Sequence, residues 1–189
     1  MSTKNKFLVV VDMQQDFLIN DNVLGNEYTK AIVPNVVKLV NEFVDDNLSV
    51  IFTLDTHSDT TYTQTREGRH LPIPHCLYGT EGWNLIPELK KFVDNVRVGE
   101  IAKVDAFGFR NLNDCLKLAS PFGLDPNSEY EIHICGVVTN MCVLSVALNF
   151  QNLFTRSEII VHSDCCASND PEMHQKALDV MKGLQMQVI

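Results

Sequence analysis

The sequence has no stretch approaching the roughly 18 to 20 continuous apolar residues that a membrane-spanning helix requires. It also has no cluster of lysine and arginine. Fifteen basic residues stand against 24 acidic ones, and the net charge of −9 disfavours nucleic acid or an anionic membrane as partner. A small neutral or cationic ligand suits that balance better. No internal repeat, low-complexity tract or linker interrupts the 189 residues, a length that fits one domain over 1–189 and is short for two. Met1-Ser2-Thr3-Lys4-Asn5-Lys6 runs into a short apolar segment broken by Asp12, with no small-residue cleavage pattern. We therefore expect no signal peptide and a cytoplasmic location.

Repeated Cys-x-x-Cys spacing, the mark of a structural zinc site, is missing as well. The six cysteines are Cys76, Cys115, Cys135, Cys142, Cys165 and Cys166. A chain of this length holds together by its core, so reduced thiols are expected, most of them as small core residues. The vicinal pair Cys165-Cys166 reads as structural, in the loop after a strand.

What is present is an alternation of short β-rich runs and longer helical patterns. Lys6–Val11, Ser49–Leu54, Tyr130–Gly136, Glu158–His162 and Leu184–Ile189 read as strands, and continuous apolar runs of this kind suit a parallel sheet covered on both faces. Between them, Ile32, Val33, Val36, Val37, Leu39, Val40, Phe43 and Val44 recur at helical spacing. Trp83–Asp94, Asn111–Ala119 and Thr139–Gln151 are further helix candidates. A last helix starts with Asp170 as N-cap and Pro171 and Glu172 in its first turn, and Gly183 is a plausible stop. The pattern predicts a three-layer α/β/α sandwich with a mainly parallel sheet. Pro121–Ser128 reads as a surface loop. Thr56–Gly82 breaks the rhythm; such a long irregular loop leaving the carboxyl end of a strand is where a parallel sheet binds ligands.

Four candidates for chemistry emerge. Asp12 directly follows Val9-Val10-Val11, so its carboxylate faces the ligand edge of the sheet or serves as a turn or cap residue; Asp16, four residues on, caps or binds. In Cys135-Gly136-Val137-Val138-Thr139-Asn140-Met141-Cys142-Val143 a strand gives way to a helix near Thr139. Cys142 then sits in the first turn, where free amides and the helix dipole stabilise a thiolate and an oxyanion, or it simply packs. Lys103 has no local mark separating it from a solvated surface charge. Asp55-Thr56-His57, Glu67 and Pro74-His75 offer a mixed nitrogen and oxygen ligand set for a metal, with His70 competing with Glu67 on spacing.

These pieces resemble the isochorismatase-like hydrolases over nearly the whole chain. Val11-Asp12-Met13-Gln14-Gln15-Asp16-Phe17 is similar to the family's opening Val-Asp-x-Gln-x-Asp-Phe, and Gly136-Val137-Val138-Thr139-Asn140-Met141-Cys142-Val143 to its Gly-Val-x-Thr-x-x-Cys-Val nucleophile turn. Lys103 falls where the family places its lysine. The resemblance implies a catalytic triad of Asp12, Lys103 and Cys142, a cis peptide at Val137–Val138, and an oxyanion hole from the amides of Val138 and Cys142. It also implies a thioester intermediate and self-association into a homo-oligomer. Asp55-Thr56-His57 with Pro74-His75-Cys76 and Gly79-Thr80 resembles the nicotinamidases within that family. That implies a divalent ion, zinc first with iron or manganese as alternatives, held by Asp55, His57, Glu67 and His75. Phe17 then packs on the substrate ring. Asn140 departs from the aspartate that many nicotinamidases carry there, as relatives acting on other substrates do, and the Glu67–His75 spacing is a second departure. Other small amides, ureido or carbamoyl compounds, and a non-catalytic binding domain on the same scaffold are the alternatives.

Overall fold

Runs of β-branched and aromatic residues that are apolar on both faces can be satisfied only by a sheet covered twice. The computed structural model, which describes residues 5–19, 23–95, 97–103, 107 and 123–189, has that architecture. The strands are β1 (Asn5–Val11), β2 (Ser49–Leu54), β3 (Val98–Ala102), β4 (Tyr130–Val137), β5 (Glu158–Ala167) and β6 (Gln187–Val188), all parallel in the order β3-β2-β1-β4-β5-β6. Phe7 through Val11 have no exposed surface and every residue of β2 is buried, so helices lie over both faces in a three-layer sandwich.

The helices are α1 (Gln15–Leu18), α2 (Glu27–Ala31), α3 (Val33–Asp45), α4 (Arg66–His70), α5 (Pro87–Lys90), α6 (Leu144–Leu153) and α7 (Pro171–Gly183). Helix α3 turns Val36, Leu39, Val40 and Phe43 onto the sheet, each burial worth about 1.5–3 kcal/mol. Helix α7 starts as expected, with the Asp170 carboxylate accepting from the amides of Glu172 and Met173. No helix among the described residues is long and apolar enough to cross a membrane.

Strand order reverses between β1 and β4, and a crevice opens beyond their carboxyl ends at such a reversal. There Gly136 pairs with Val11 at φ +121, and a Cβ on it would stand 2.1 Å from the Val11 carbonyl oxygen. Only glycine lets β4 lie this close to β1.

Several elements differ from the sequence expectation. β3 was not foreseen, because Gly99 and Glu100 disguise a short edge strand. Helix over Trp83–Asp94 shrinks to α5 with turns around it, since Pro87 brings no amide donor and starts the helix itself. Cys165 and Cys166 lie within β5, at the end of its register irregularity against β4, and not in a loop. The final strand begins only at Gln187, because Leu184 caps α7. The expected helix Asn111–Ala119, together with Cys115 and the first two residues of the loop Pro121–Ser128, lies outside the described residues.

Candidate active site

The crevice is built from strand ends. At the end of β1 the chain turns at Asp12 into the left-handed region, φ 50, and its amide donates to Thr53 of the neighbouring β2. The Thr53 hydroxyl donates back to Asp12 Oδ1 at 2.7 Å. Lys103 follows β3 and is anchored by its amide on the Leu54 carbonyl, 2.7 Å. Its ammonium reaches Asp12 Oδ2 at 2.6 Å, with both side chains buried. Lysine is rarely buried unless paired, and this pair meets that condition. Burial pushes the Asp12 carboxyl up against the opposing pull of Lys103. Lys103 itself is held protonated: burial disfavours its charge, and the charges of Asp12, Cys142 and Asp55 more than restore it.

The turn that carries Cys142 approaches from β4. The Val137–Val138 peptide is cis, and Thr139–Val143 forms one wide turn of π type before α6. Thr139 does not cap this helix start; Val138 holds the cap position, and the Thr139 hydroxyl meets His174 Nδ1 of α7 at 2.8 Å. Cys142 is buried, within the electrostatic reach of both Asp12 and Lys103. Burial raises its thiol well above the ordinary range, Lys103 pulls it down, and Asp12 raises it further. Asp12 and Lys103 are thus in contact and Cys142 shares their electrostatic environment, although 130 residues of sequence separate Asp12 from Cys142.

Beside them the four candidate ligands converge. Asp55 Oδ2 lies 3.1 Å from His57 Nε2 and 3.5 Å from His75 Nε2, and Glu67 Oε1 lies 3.8 and 3.6 Å from the same nitrogens. All four residues are buried. Four ligands about 2.0–2.2 Å from one ion in a tetrahedron stand roughly 3.3–3.6 Å apart. These four pairs bracket that value and all the ligand atoms lie within 4.8 Å of one another, a set that could close on one small cation. The buried Asp55 Oδ1 has no hydrogen-bond partner, as fits a carboxylate arranged for a cation. The anionic form of Asp55 is strongly favoured: burial opposes it, and Lys103, His57 and His75 outweigh that cost. Second contacts set the rings. His75 Nδ1 lies 2.8 Å from the Ile73 carbonyl, which can only accept, so Nε2 is left as the free lone pair. Of the two residues on α4, Glu67 faces the cluster and His70 is exposed.

A cavity of about 160 Å³ opens onto this assembly, bordered by Asp55, Glu67, His75 and Cys142 and by the apolar side chains of Phe17, Val138 and Met141 among others. Phe17 also meets His75 edge to face, with ring centroids 5.4 Å apart. Such a volume admits one small molecule and not a peptide.

Sequence reasoning assigns no role to Gln14 or Tyr62 and leaves Asp16 as a cap or binding residue; all three hold the frame. Gln14 is buried and clamps the end of β2: its amide donates to the carbonyls of Asp55 and Trp83, and its oxygen accepts from the Asp55 amide. Asp16 accepts from the Cys76 amide at 2.7 Å and so fixes the residue after His75. Tyr62 donates to the Leu71 carbonyl and touches His75 Nδ1 at 3.3 Å. Gln14 and Asp16 lie inside the opening motif; nothing local marks Tyr62. Asn140 accepts a hydrogen bond from Ser168, a contact that an aspartate could make equally well.

With this geometry in view, known proteins can be compared. The isochorismatase domain profile matches residues 6–189. The uncharacterized isochorismatase family protein PncA of Bacillus subtilis is 31% identical over 182 residues, covering 92% of each chain. The crystal structure of nicotinamidase PncA from Bacillus subtilis superposes with a TM-score of 0.80 at 28% identity, covering 97% of this chain and 98% of that one. The structure of Pyrococcus horikoshii pyrazinamidase in complex with zinc superposes with a TM-score of 0.74 at 25% identity, covering 98% of both.

Proposed function

This chain belongs to the isochorismatase family, and from that premise we propose that it hydrolyses nicotinamide to nicotinate and ammonia through a thioester on Cys142. It is a hydrolase of amide C–N bonds. The observation that carries the finer reading is a buried Asp12–Lys103 pair acting electrostatically on Cys142, which lines a cavity together with Asp55, Glu67 and His75.

Asp12 accepts the Cys142 thiol proton, and the sulfur attacks the amide carbonyl. Lys103 keeps the carboxylate and thiolate compatible in one buried space. The amides of Val138 and Cys142 receive the oxyanion. Asp12 returns its proton to the departing nitrogen, which leaves as ammonia. It then takes a proton from water as that water attacks the thioester, releasing the acid and restoring the thiol. Asp55, His57, Glu67 and His75 hold the cation, zinc first, with iron or manganese also suited to this ligand set. When bound, the ion supplies an electrophilic anchor for a ring nitrogen. Phe17 packs on the ring. We further propose a homo-oligomer in the cytoplasm.

A second reading, hydrolysis of another small amide or a ureido compound, is favoured by Asn140. Ammonia release from nicotinamide, run beside N-carbamoyl amino acids and a Cys142→Ala variant, tests both. Release from nicotinamide that vanishes in the variant supports the first reading. Release only from the carbamoyl compounds supports the second. Release from neither leaves the non-catalytic binding domain.

A further inference from the structure

The proposed reaction uses Cys142, the cation cluster and the apolar walls of the cavity. One lining residue is left over: Asn169, the only other polar side chain on that wall among the described residues. It is exposed, so it stands where the cavity meets solvent.

Its carboxamide is oriented by a chain of committed hydrogen bonds. Asn169 Oδ1 accepts from Asn26 Nδ2 at 2.8 Å, a bridge between segments 143 residues apart. Asn26 cannot turn over, because its own oxygen caps α2, accepting from the amides of Tyr28 and Thr29 at 2.8 and 3.1 Å. With the oxygen of Asn169 occupied, its two N–H donors are the end left for a ligand. The backbone on either side is tethered too. Ser168 donates to Asn140 in the nucleophile turn, and Asp170 caps α7. A donor fixed in advance in this way costs little ordering when it binds.

In the proposed nicotinamide complex the ring nitrogen faces the cation cluster and the carbonyl oxygen faces the amides, which leaves no acceptor for this donor. We infer that Asn169 is a specificity-determining residue: its Nδ2 hydrogen-bonds a second acceptor, a further ring nitrogen or a carboxylate, and so extends the substrate range to amides that carry one. The inference rests on the amidase reading above. Asn26 is the positioning residue, acting through the orientation of Asn169.

The test is steady-state ammonia release by the metal-loaded protein from nicotinamide, pyrazinamide and N-carbamoylglycine; the last two carry the second acceptor. The readout is kcat/KM for each relative to nicotinamide. Asn169→Ala should lower that ratio about 3- to 10-fold for at least one of them, through KM, since one hydrogen bond is removed. Asn26→Asp preserves the helix cap but offers Asn169 only acceptors, so the carboxamide turns its oxygen to the cavity. The ratio should fall at least as far, with thermal stability retained, an outcome that a merely structural role for Asn26 does not produce. Ratios unchanged in both variants of an active enzyme overturn this inference alone. Wild-type protein that releases ammonia from none of the three overturns the amidase reading and this inference with it.

Discussion

Two pairs of histidines lie in this molecule at nearly the same separation, and they are opposites. The rings of His57 and His75 are 4.8 Å apart, those of His133 and His162 5.0 Å. Around the first pair Asp55 and Glu67 crowd within 4 Å, and His75 is pushed up despite its burial. The second pair sits in the middle of β4 and β5 and meets nitrogen to nitrogen at 2.7 Å, with the Phe43 ring against His133. Burial, His162 and Lys6 depress His133 to about 4, and burial depresses His162 against the pull of Asp164 and Glu42. Proximity of imidazoles is therefore not what makes a cation site. The first pair occupies the carboxyl edge of the sheet, where β2 and the long loop bring carboxylates to it. The second shares a hydrogen bond, and among the described residues no carboxylate lies within ion-pair distance of either ring.

The contrast can be tested from its largest consequence downwards. Cys142→Ala at the strand-end site should reduce amide turnover by on the order of 10⁴-fold or more, as loss of a nucleophile does, whereas His162→Leu should leave it within about twofold. Equal losses in the two variants would erase the distinction. Next, Asp55→Asn with His75→Ala should weaken zinc binding by at least about 100-fold, measured by competition with a chromogenic chelator. His133→Phe with His162→Leu should not change it.

The pH dependences should separate in the same way. Asp12 accepts protons only when ionised, and its pKa is raised. Turnover should accordingly fall with decreasing pH at a midpoint above the ordinary carboxylate range, and a pH–rate profile with the midpoint at or below it would contradict this. The mid-sheet pair should instead make stability depend on pH. The folded state binds fewer protons than the unfolded one when a histidine pKa is depressed. Its contribution is complete above about 6.5 and is lost as pH falls through the folded value near 4. Melting temperatures of His133→Phe with His162→Leu should thus depend less on pH between these limits than wild type. The smallest effect is expected for His70→Ala, which should leave metal affinity and turnover within about twofold, because His70 is exposed on α4 away from the cluster.

How much of this was legible follows from what each residue needs to be recognised. β1, β2 and β4 announce themselves because strands buried on both faces are apolar without interruption. Asp12 and Cys142 are legible as candidates because each follows such a strand. β3 is hidden by Gly99 and Glu100, and Lys103 is legible only through the family resemblance, since that lysine is buried because β3 pairs with β2. Glu67 and His70 lie three residues apart on one short helix, and only the packing of α4 decides which faces inward. Gln14, Tyr62 and Asn169 are held by partners 9 to 143 residues away, which no local pattern encodes.

The most direct test of the account is a zinc titration of metal-stripped protein in which bound zinc and ammonia release from nicotinamide are followed in one sample. Activity should rise in proportion to zinc and saturate at one ion per chain, identically in wild type and in the His133→Phe, His162→Leu variant. Full activity before any zinc is added, or an ion that binds at the mid-sheet pair while activity stays flat, would contradict the assignment of the strand-end cluster.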